Sequence, residues 1–533
     1  MSQSEPTNSD VLIVGGGPVG LGLALDLGLH GLRVRVLERH QAPQRIPKGQ
    51  NLTQRTGEHF RRWGVSEAIR AASPIPSSYG NEGLTAYGSI FSGYHYDWFK
   101  RSSVRAYYAA DNERLPQYAM EQVLRERINE MPNVELLLEH SVSHIESHID
   151  GAEIHAISDA GAQNKIYSAR FVVGCDGARS VVRQAAGFPE TVDARGRRMA
   201  LLVLRSKDLH DLLDGHFPGK TIFNAIHPEL EGYWQFLGRI DLDDGWFFHA
   251  PVPDDATVEN FDFRKLVRRA VGVHFEAEFE YIGFWDLRFM QADRYGDGRL
   301  FIAGDAAHSH PPYGGYGVNT GFEDIVNLGW KLRAMLAGFG GEELLETYTE
   351  ERHPVFASTR DHFIARMIAD DADFVARFDP TRNRAEFEAA WRARAEGGQT
   401  EVQNFVPHYA GSSIVWGEAG EQSGATGKHQ FEARAGHHLA PIALNDGRDT
   451  HAMLGADFTL FTCDAQPEEV AALLDAARGL QVPLKVVDVT DNPSARVWGA
   501  RYVLVRPDQY VGMAGNTLPA SPTACLRRLV GLV

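Results

Sequence analysis

Cysteine is scarce. The three in this 533-residue chain, Cys175, Cys463 and Cys525, stand far apart and form no C-x-x-C pair, which excludes a disulfide framework and a cysteine zinc site. Long apolar runs are missing too: none reaches the roughly 18 residues a membrane helix needs. The stretch Met1 to Asp10 is polar and lacks the apolar region of a signal peptide. Positive charge is in deficit, with 53 Lys+Arg against 70 Asp+Glu and a formal net charge of -17. Such a surface repels polyphosphate and argues against nucleic acid as a partner. Neither internal repeats nor low-complexity tracts occur. The expectation is a reducing, soluble, cytoplasmic protein without a membrane partner. Its 43% hydrophobic content supports a sizeable core, and its length suits about three domains or one elaborated fold.

Val11-Leu12-Ile13-Val14 is an apolar run that stops at Gly15-Gly16-Gly17. Pro18-Val19-Gly20 then leads into Leu21 to His30, where Leu21, Leu25 and Leu29 recur at helical spacing. After Gly31 a second apolar strand, Val34-Arg35-Val36-Leu37, closes on Glu38. Strand, glycine turn, helix, strand and acid within about 30 residues is the context that makes G-x-G-x-x-G a dinucleotide signal. Gly15 permits the tight turn, Gly17 lets the backbone approach a pyrophosphate, and Gly20 allows close packing of helix on strand. The helix N-terminus offers free N–H groups to the phosphates. Glu38, 18 residues past Gly20, is placed to accept hydrogen bonds from ribose hydroxyls.

Two later stretches separate FAD from NAD. Phe171-Val172-Val173-Gly174-Cys175-Asp176-Gly177 reads as a buried strand ending in Asp-Gly. Leu300-Phe301-Ile302-Ala303-Gly304-Asp305-Ala306-Ala307-His308 ends similarly, then runs through Pro311-Pro312-Tyr313-Gly314-Gly315-Tyr316-Gly317-Val318-Asn319 to a helix expected over Phe322 to Leu336. A loop aiming several N–H groups at one point suits the electron-rich edge of a reduced isoalloxazine.

With these three motifs in order, the sequence resembles the class A flavoprotein monooxygenases, the single-component aromatic hydroxylases that include phenol and 4-hydroxybenzoate hydroxylases, over roughly residues 9 to 360. The resemblance implies FAD as cofactor and NADPH or NADH as co-substrate. It places the fingerprint residues Gly15, Gly17, Pro18, Val19 and Gly20 at the FAD, with Glu38 beyond them. Asp305 is expected at the ribityl chain, and the N–H groups of Gly317, Val318 and Asn319 at the pyrimidine side of the flavin. Gln117 and Asp176 are expected near the cofactor and Arg45 against it. Arg39, next to Glu38, is suited to a 2′-phosphate and tilts the choice to NADPH. Two departures stand out: Tyr316 replaces a residue often Gln or basic in relatives, and the loop 47–56 lies farther from Arg45 than is usual.

The implied fold class is α/β: a Rossmann-like FAD-binding domain with an inserted antiparallel-sheet substrate domain and a C-terminal thioredoxin-like domain. The boundaries expected are 1–190 and 290–375 for the FAD part, 191–289 for the middle part, 376–426 for a helical or linker segment, and 427–533 for the C-terminal domain. That last domain reads β-α-β-β-α, through Asp457–Thr462, Pro467–Gly479, Leu484–Val489, Arg501–Asp508 and about Ser521–Leu532. Lacking paired cysteines, it is expected to be structural, with a dimer interface as one role.

The family mechanism that the resemblance implies runs through a flavin C4a-hydroperoxide whose distal oxygen attacks an electron-rich ring. Water must be excluded, and a group near the phenol oxygen would help. The sequence names no catalytic residue. Candidates for substrate contact are Asn51, Tyr233, Trp246, His249, Pro312, Tyr313 and Tyr316. His308 and His310 do not share a helix face and show no carboxylate partner, so no metal is expected. The reading that follows is hydroxylation of a phenol-like small aromatic. Flavin chemistry on a polycyclic metabolite (hydroxylation, epoxidation or Baeyer-Villiger oxidation), an isoprenoid-lipid flavin reductase and a non-catalytic flavin-bound sensor are the alternatives.

Overall fold

A strand segment buried on both faces reads as a continuous apolar run, and Val11, Leu12, Ile13 and Val14 are all buried. In the computed structural model, which describes residues 8–79, 82–158, 163–397, 400–417 and 420–532, they lie at the centre of an eight-stranded sheet. Its core is parallel, in the order Leu300–Ile302, Gln163–Gly174, Asn8–Val14, Val34–Leu37, Val134–Leu137. From Asn8–Val14 the chain passes first to one side and later to the other. A crevice therefore opens where that strand ends, at Gly15, the usual ligand position in such sheets. The helix Pro18–Leu29 packs against a second helix, Gly317–Ala337, so closely that a Cβ on Gly22 would stand 3.0 Å from Phe322.

The second sheet is largely antiparallel and runs His308–Ser309, Glu278–Ala292, Glu190–Arg205, Gly245–Val252, Gln235–Arg239, Lys220–Ile226, Glu82–Tyr87, His95–Trp98. Its last two strands come from inside the span expected to belong to the FAD part. Glu82–Tyr87 joins by pairing in parallel with Lys220–Ile226, and a pairing across more than a hundred residues leaves no local signal. Side chains alternate across each strand. Trp246, Phe248 and Ala250 therefore pack into the core on one face, while Phe247 and His249 face the other way.

A long helix spans Glu343–Thr359 and, beyond a wide turn at Arg360–Ala365, Arg366–Arg377. The charged stretch that follows forms a helix, Arg384–Gly397, which buries Phe387 and Trp391 against Tyr87 and Phe374. The C-terminal sheet is ordered Leu484–Asp488, Phe458–Thr462, Tyr502–Val505, Val511–Gly515. The first pair is parallel and the rest antiparallel, a thioredoxin-like arrangement. The sequence reading lacked the strand Val511–Gly515, whose two glycines make it a weak strand former.

This C-terminal unit is fastened to the rest by buried charge. Arg506 donates to Glu351 at 2.5 and 2.9 Å and to Asp508 at 2.5 Å, and Lys331 reaches Glu351 at 2.7 Å. Among the described residues no helix is long and apolar enough to cross a membrane.

Candidate active site

At the carboxyl end of Asn8–Val14 the chain turns at Gly15 with φ +104°. A Cβ there would lie 2.4 Å from the carbonyl oxygen of Cys175, and one on Gly20 would lie 2.0 Å from that of Gly15. Gly17 has nothing within 4 Å of its missing Cβ: it faces open space. Glu38 is held under this turn, its Oε2 accepting from the Gly16 N–H at 2.6 Å and its Oε1 from that of His40 at 2.7 Å.

Gly17, Pro18 and Val19 line a cavity of about 360 Å³ between the two large sheets. Asn51, Gln117, His249, Asp305, Pro312, Gly317 and Val318 line it as well. The Asp305 carboxylate is open to the cavity but walled in by protein, and burial raises its pKa. The helix after the glycine loop starts at Gly317, five residues earlier than expected. Gly317, Val318 and Asn319 therefore form its first turn, whose N–H groups have no acceptor within the helix. The Asn319 side chain is fully engaged elsewhere. It accepts from the Thr53 N–H at 2.9 Å and the Thr56 hydroxyl at 2.6 Å, and donates to the carbonyls of Asn51 at 2.8 Å and Gly315 at 2.6 Å. It locks the loop 51–56 to the glycine loop, leaving only its backbone N–H for a ligand.

Other expected residues lie elsewhere. Arg39 and Arg45 are exposed, and Arg39 meets His40 at 3.2 Å. Asp176 accepts from the Val181 N–H at 2.7 Å, beside rather than on the cavity wall. Trp246 is on the far face of the middle sheet, its indole donating to the Ser206 carbonyl. Tyr233 lies under the Arg197 guanidinium. Tyr313 packs on Trp234 and its hydroxyl accepts from the Trp234 N–H at 3.0 Å. Tyr316 points away, its ring tilted against Phe405 with centres 4.3 Å apart and its hydroxyl on Glu401. It borders a second, smaller cavity of about 70 Å³ toward the C-terminal domain. His308 does have a carboxylate partner, Asp324 at 2.7 Å, whose other oxygen takes Arg352 at 2.8 Å.

Several side chains at these cavities gave no sequence signal. Trp98, Phe99, Phe236 and Phe247 supply aromatic wall, and Gln50 and Arg114 polar wall, to the larger cavity. Near the smaller one, Glu58 gathers His438 at 2.8 Å and His451 at 3.6 Å, with ligand atoms all within 4.8 Å of one another. Arg55 also donates to Glu58 at 2.9 Å, so a cation is already paired there.

Burial holds His249 and His310 neutral, with pKa values pulled down to about 4, and His437 to about 3. Folded values below the ordinary 6.5 mean stability that is complete above pH 6.5 and lost as pH falls toward 4. Glu323, Asp324 and Glu351 are held down by Arg55, Arg352 and Arg506 among their neighbours, though burial alone opposes this. Their contribution is lost below about pH 4.5, in the same direction. Thermal unfolding followed from pH 8 to pH 4 is expected to show a steady fall in Tm starting near pH 6.5, as each group withdraws stabilisation of about 1.4 kcal/mol per unit by which its folded and unfolded pKa values differ. A Tm that stays flat down to pH 5 would contradict the neutral-histidine assignment.

A glycine turn that leaves room at Gly17 and none at Gly15 or Gly20, a carboxylate at the second strand and a helix N-terminus across the cavity together fit FAD. They define a flavin-binding oxidoreductase. Residues 8–362 match the family described as FAD binding domain, and residues 432–532 match aromatic-ring hydroxylase, C-terminal. The chain belongs to the FAD-dependent monooxygenases of the aromatic-ring hydroxylase family. It is 30% identical to a 4-methyl-5-nitrocatechol 5-monooxygenase of Burkholderia sp, over 97% of this chain and 96% of the relative. It is equally 30% identical to the 12-dehydrotetracycline 5-monooxygenase/anhydrotetracycline 6-monooxygenase of Streptomyces rimosus, over 94% of each. The rebeccamycin biosynthetic enzyme RebC with reduced flavin superposes with a TM-score of 0.84 at 27% identity, over 99% of this chain and 100% of RebC. Family membership makes the chain an enzyme and removes the non-catalytic sensor alternative.

Proposed function

We propose that this monooxygenase hydroxylates an aromatic, phenol-like substrate with O2 and NADPH or NADH. The observation that carries the reading is the single cavity joining the flavin-facing first turn at Gly317 to an aromatic wall of Trp98, Phe99, Phe236 and Phe247. Bound FAD supplies electron transfer from the nicotinamide and activation of O2 at C4a. The chain's own residues bind and orient. Gly17, Pro18 and Val19 offer the pyrophosphate an open approach, and Glu38 accepts from the adenosine ribose. Asp305 takes the ribityl hydroxyls, and the first-turn N–H groups face the pyrimidine edge. The aromatic wall and Pro312 exclude water from the reacting ring.

A second reading, a polycyclic phenol as substrate, is favoured by the near full-length likeness to the tetracycline-type monooxygenase. The three free cysteines fit a reducing, cytoplasmic setting.

The test is aerobic NADPH and NADH oxidation by FAD-loaded protein against simple and polycyclic phenols, with peroxide quantified. Strong stimulation by one ring class with little peroxide is expected. Peroxide matching nicotinamide consumption for every compound, or no stimulation at all, contradicts the reading.

A further inference from the structure

At the middle-sheet wall of the cavity, positive charge is not balanced. Arg114 is buried, and its Nη2 donates only to neutral acceptors, the Arg239 carbonyl at 3.0 Å and Gln50 Oε1 at 3.4 Å. Its Nε has no partner. The charged group that acts on it is a second cation, Arg239, and burial without a counter-charge pulls its pKa down to about 9. A buried cation with no anion is costly, so a fold that keeps one at a cavity wall is suited to an anion arriving from the cavity. Two further groups there are unsatisfied, Gln50 Nε2 and His249 Nδ1, and both residues line the same space.

The placement is specific. Arg114 is paired with Asn51 in a short antiparallel ladder at the cavity, and its guanidinium carbon lies 6.0 Å from the centre of the Phe247 ring. Room for it comes from Gly238, the cross-strand partner of Phe247. A Cβ on Gly238 would stand 2.2 Å from the Phe247 ring and 3.0 Å from Arg114 Nη2. Phe247 and His249, two residues apart, share this face of the sheet, with ring centres 5.7 Å apart. Arg114, Gln50 and His249 thus edge one aromatic platform.

We propose that Arg114, flanked by Gln50 and His249, is the anion-recognising group of the cavity and binds an acidic oxygen, phenolate or carboxylate, carried by the aromatic substrate. That the ligand is the substrate rests on the hydroxylase reading. A phenol bound here loses its proton to solvent and is held as phenolate, because a cation close by favours the ionised form. The ring is then at its most electron-rich. Arg114 selects ring compounds that are anions or become so on binding.

The test is binding without turnover. FAD-loaded wild type, Arg114→Lys and Arg114→Met are titrated with nitrophenols and nitrobenzoates, and with nitroanisoles and nitrobenzamides as their uncharged counterparts. The colour of a bound nitrophenol reports its ionisation directly. Wild type is expected to bind nitrophenols as phenolates at pH values below their solution pKa, and to prefer anions to uncharged counterparts by about tenfold or more. Preference for nitrophenols alone assigns phenolate, and preference for nitrobenzoates alone assigns carboxylate. Arg114→Lys should weaken the preference and Arg114→Met remove it, while uncharged ligands bind both variants as they bind wild type. No anion preference in wild type, or one undiminished in Arg114→Met, overturns the assignment. Should Arg114→Met fail to retain FAD, an Arg114→Lys enzyme with wild-type preference overturns it equally. The assignment can fail while phenols still stimulate NADPH oxidation. The hydroxylase reading fails separately, if no ring compound stimulates.

Discussion

Gly20→Ala is expected to leave the enzyme without flavin. The new methyl would stand 2.0 Å from the carbonyl oxygen of Gly15, and this neighbour is backbone of the very turn that faces the cofactor. Relief requires the turn or the helix Pro18–Leu29 to move. Overpacking of this kind costs about 1–3 kcal/mol or more, which would weaken FAD binding about ten- to hundredfold if it falls on the bound geometry. Gly17→Ala makes an informative companion, because its Cβ meets no protein atom within 4 Å. That variant should unfold at the apoprotein's Tm yet also lose flavin, since the methyl occupies space a pyrophosphate needs. Flavin-to-protein absorbance after gel filtration, with thermal unfolding of both apoproteins, checks the pair. Gly20→Ala protein with a wild-type flavin ratio would contradict the turn's assigned role.

Arg506→Met is expected to give the largest loss of stability. Arg506, Lys331, Glu351 and Asp508 are fully buried, two cations against two carboxylates. Removing the arginine leaves Lys331 alone against both acids. Breaking a buried pair in this way costs about 3–5 kcal/mol, a Tm drop on the order of 10 °C. Asp508→Asn in the Arg506→Met background restores neutrality, and the Asn carbonyl can still accept from the Trp330 indole, which meets Asp508 at 3.2 Å. The double variant should recover part of the loss. A drop below about 2 °C for Arg506→Met would mean that this network does not fasten the C-terminal domain.

The parts of the site legible in the sequence were those encoded locally. The glycine turn, Glu38 and the Asp305 loop each lie within a few residues of the strand that presents them, and apolar runs mark those strands. Alternation along Gly245–Val252 could also have separated Trp246 from His249, since residues three apart on a strand face opposite ways. Both stand as substrate candidates on the middle sheet, and only His249 reaches the cavity. Tyr313 and Tyr316 were expected to wall the substrate because they flank the glycine loop. Trp234 and Glu401, each far along the chain, draw them away. Arg114 gave no sign at all: its setting depends on Gly238, Arg239 and Phe247 arriving from another sheet. The same holds for Glu58, whose histidine partners are 380 and 393 residues distant. Contacts made across sheets and domains set the polarity of the cavity, and periodicity does not report them.

The central claim is that oxygen from O2 is inserted into an aromatic ring at this cavity. It is tested most directly by turnover under isotope-labelled dioxygen with the phenol that best stimulates NADPH oxidation, followed by mass spectrometry of the product. One labelled oxygen atom on the ring per nicotinamide oxidised is the predicted result. Unlabelled product, or nicotinamide oxidation with the phenol recovered unchanged, would contradict the account.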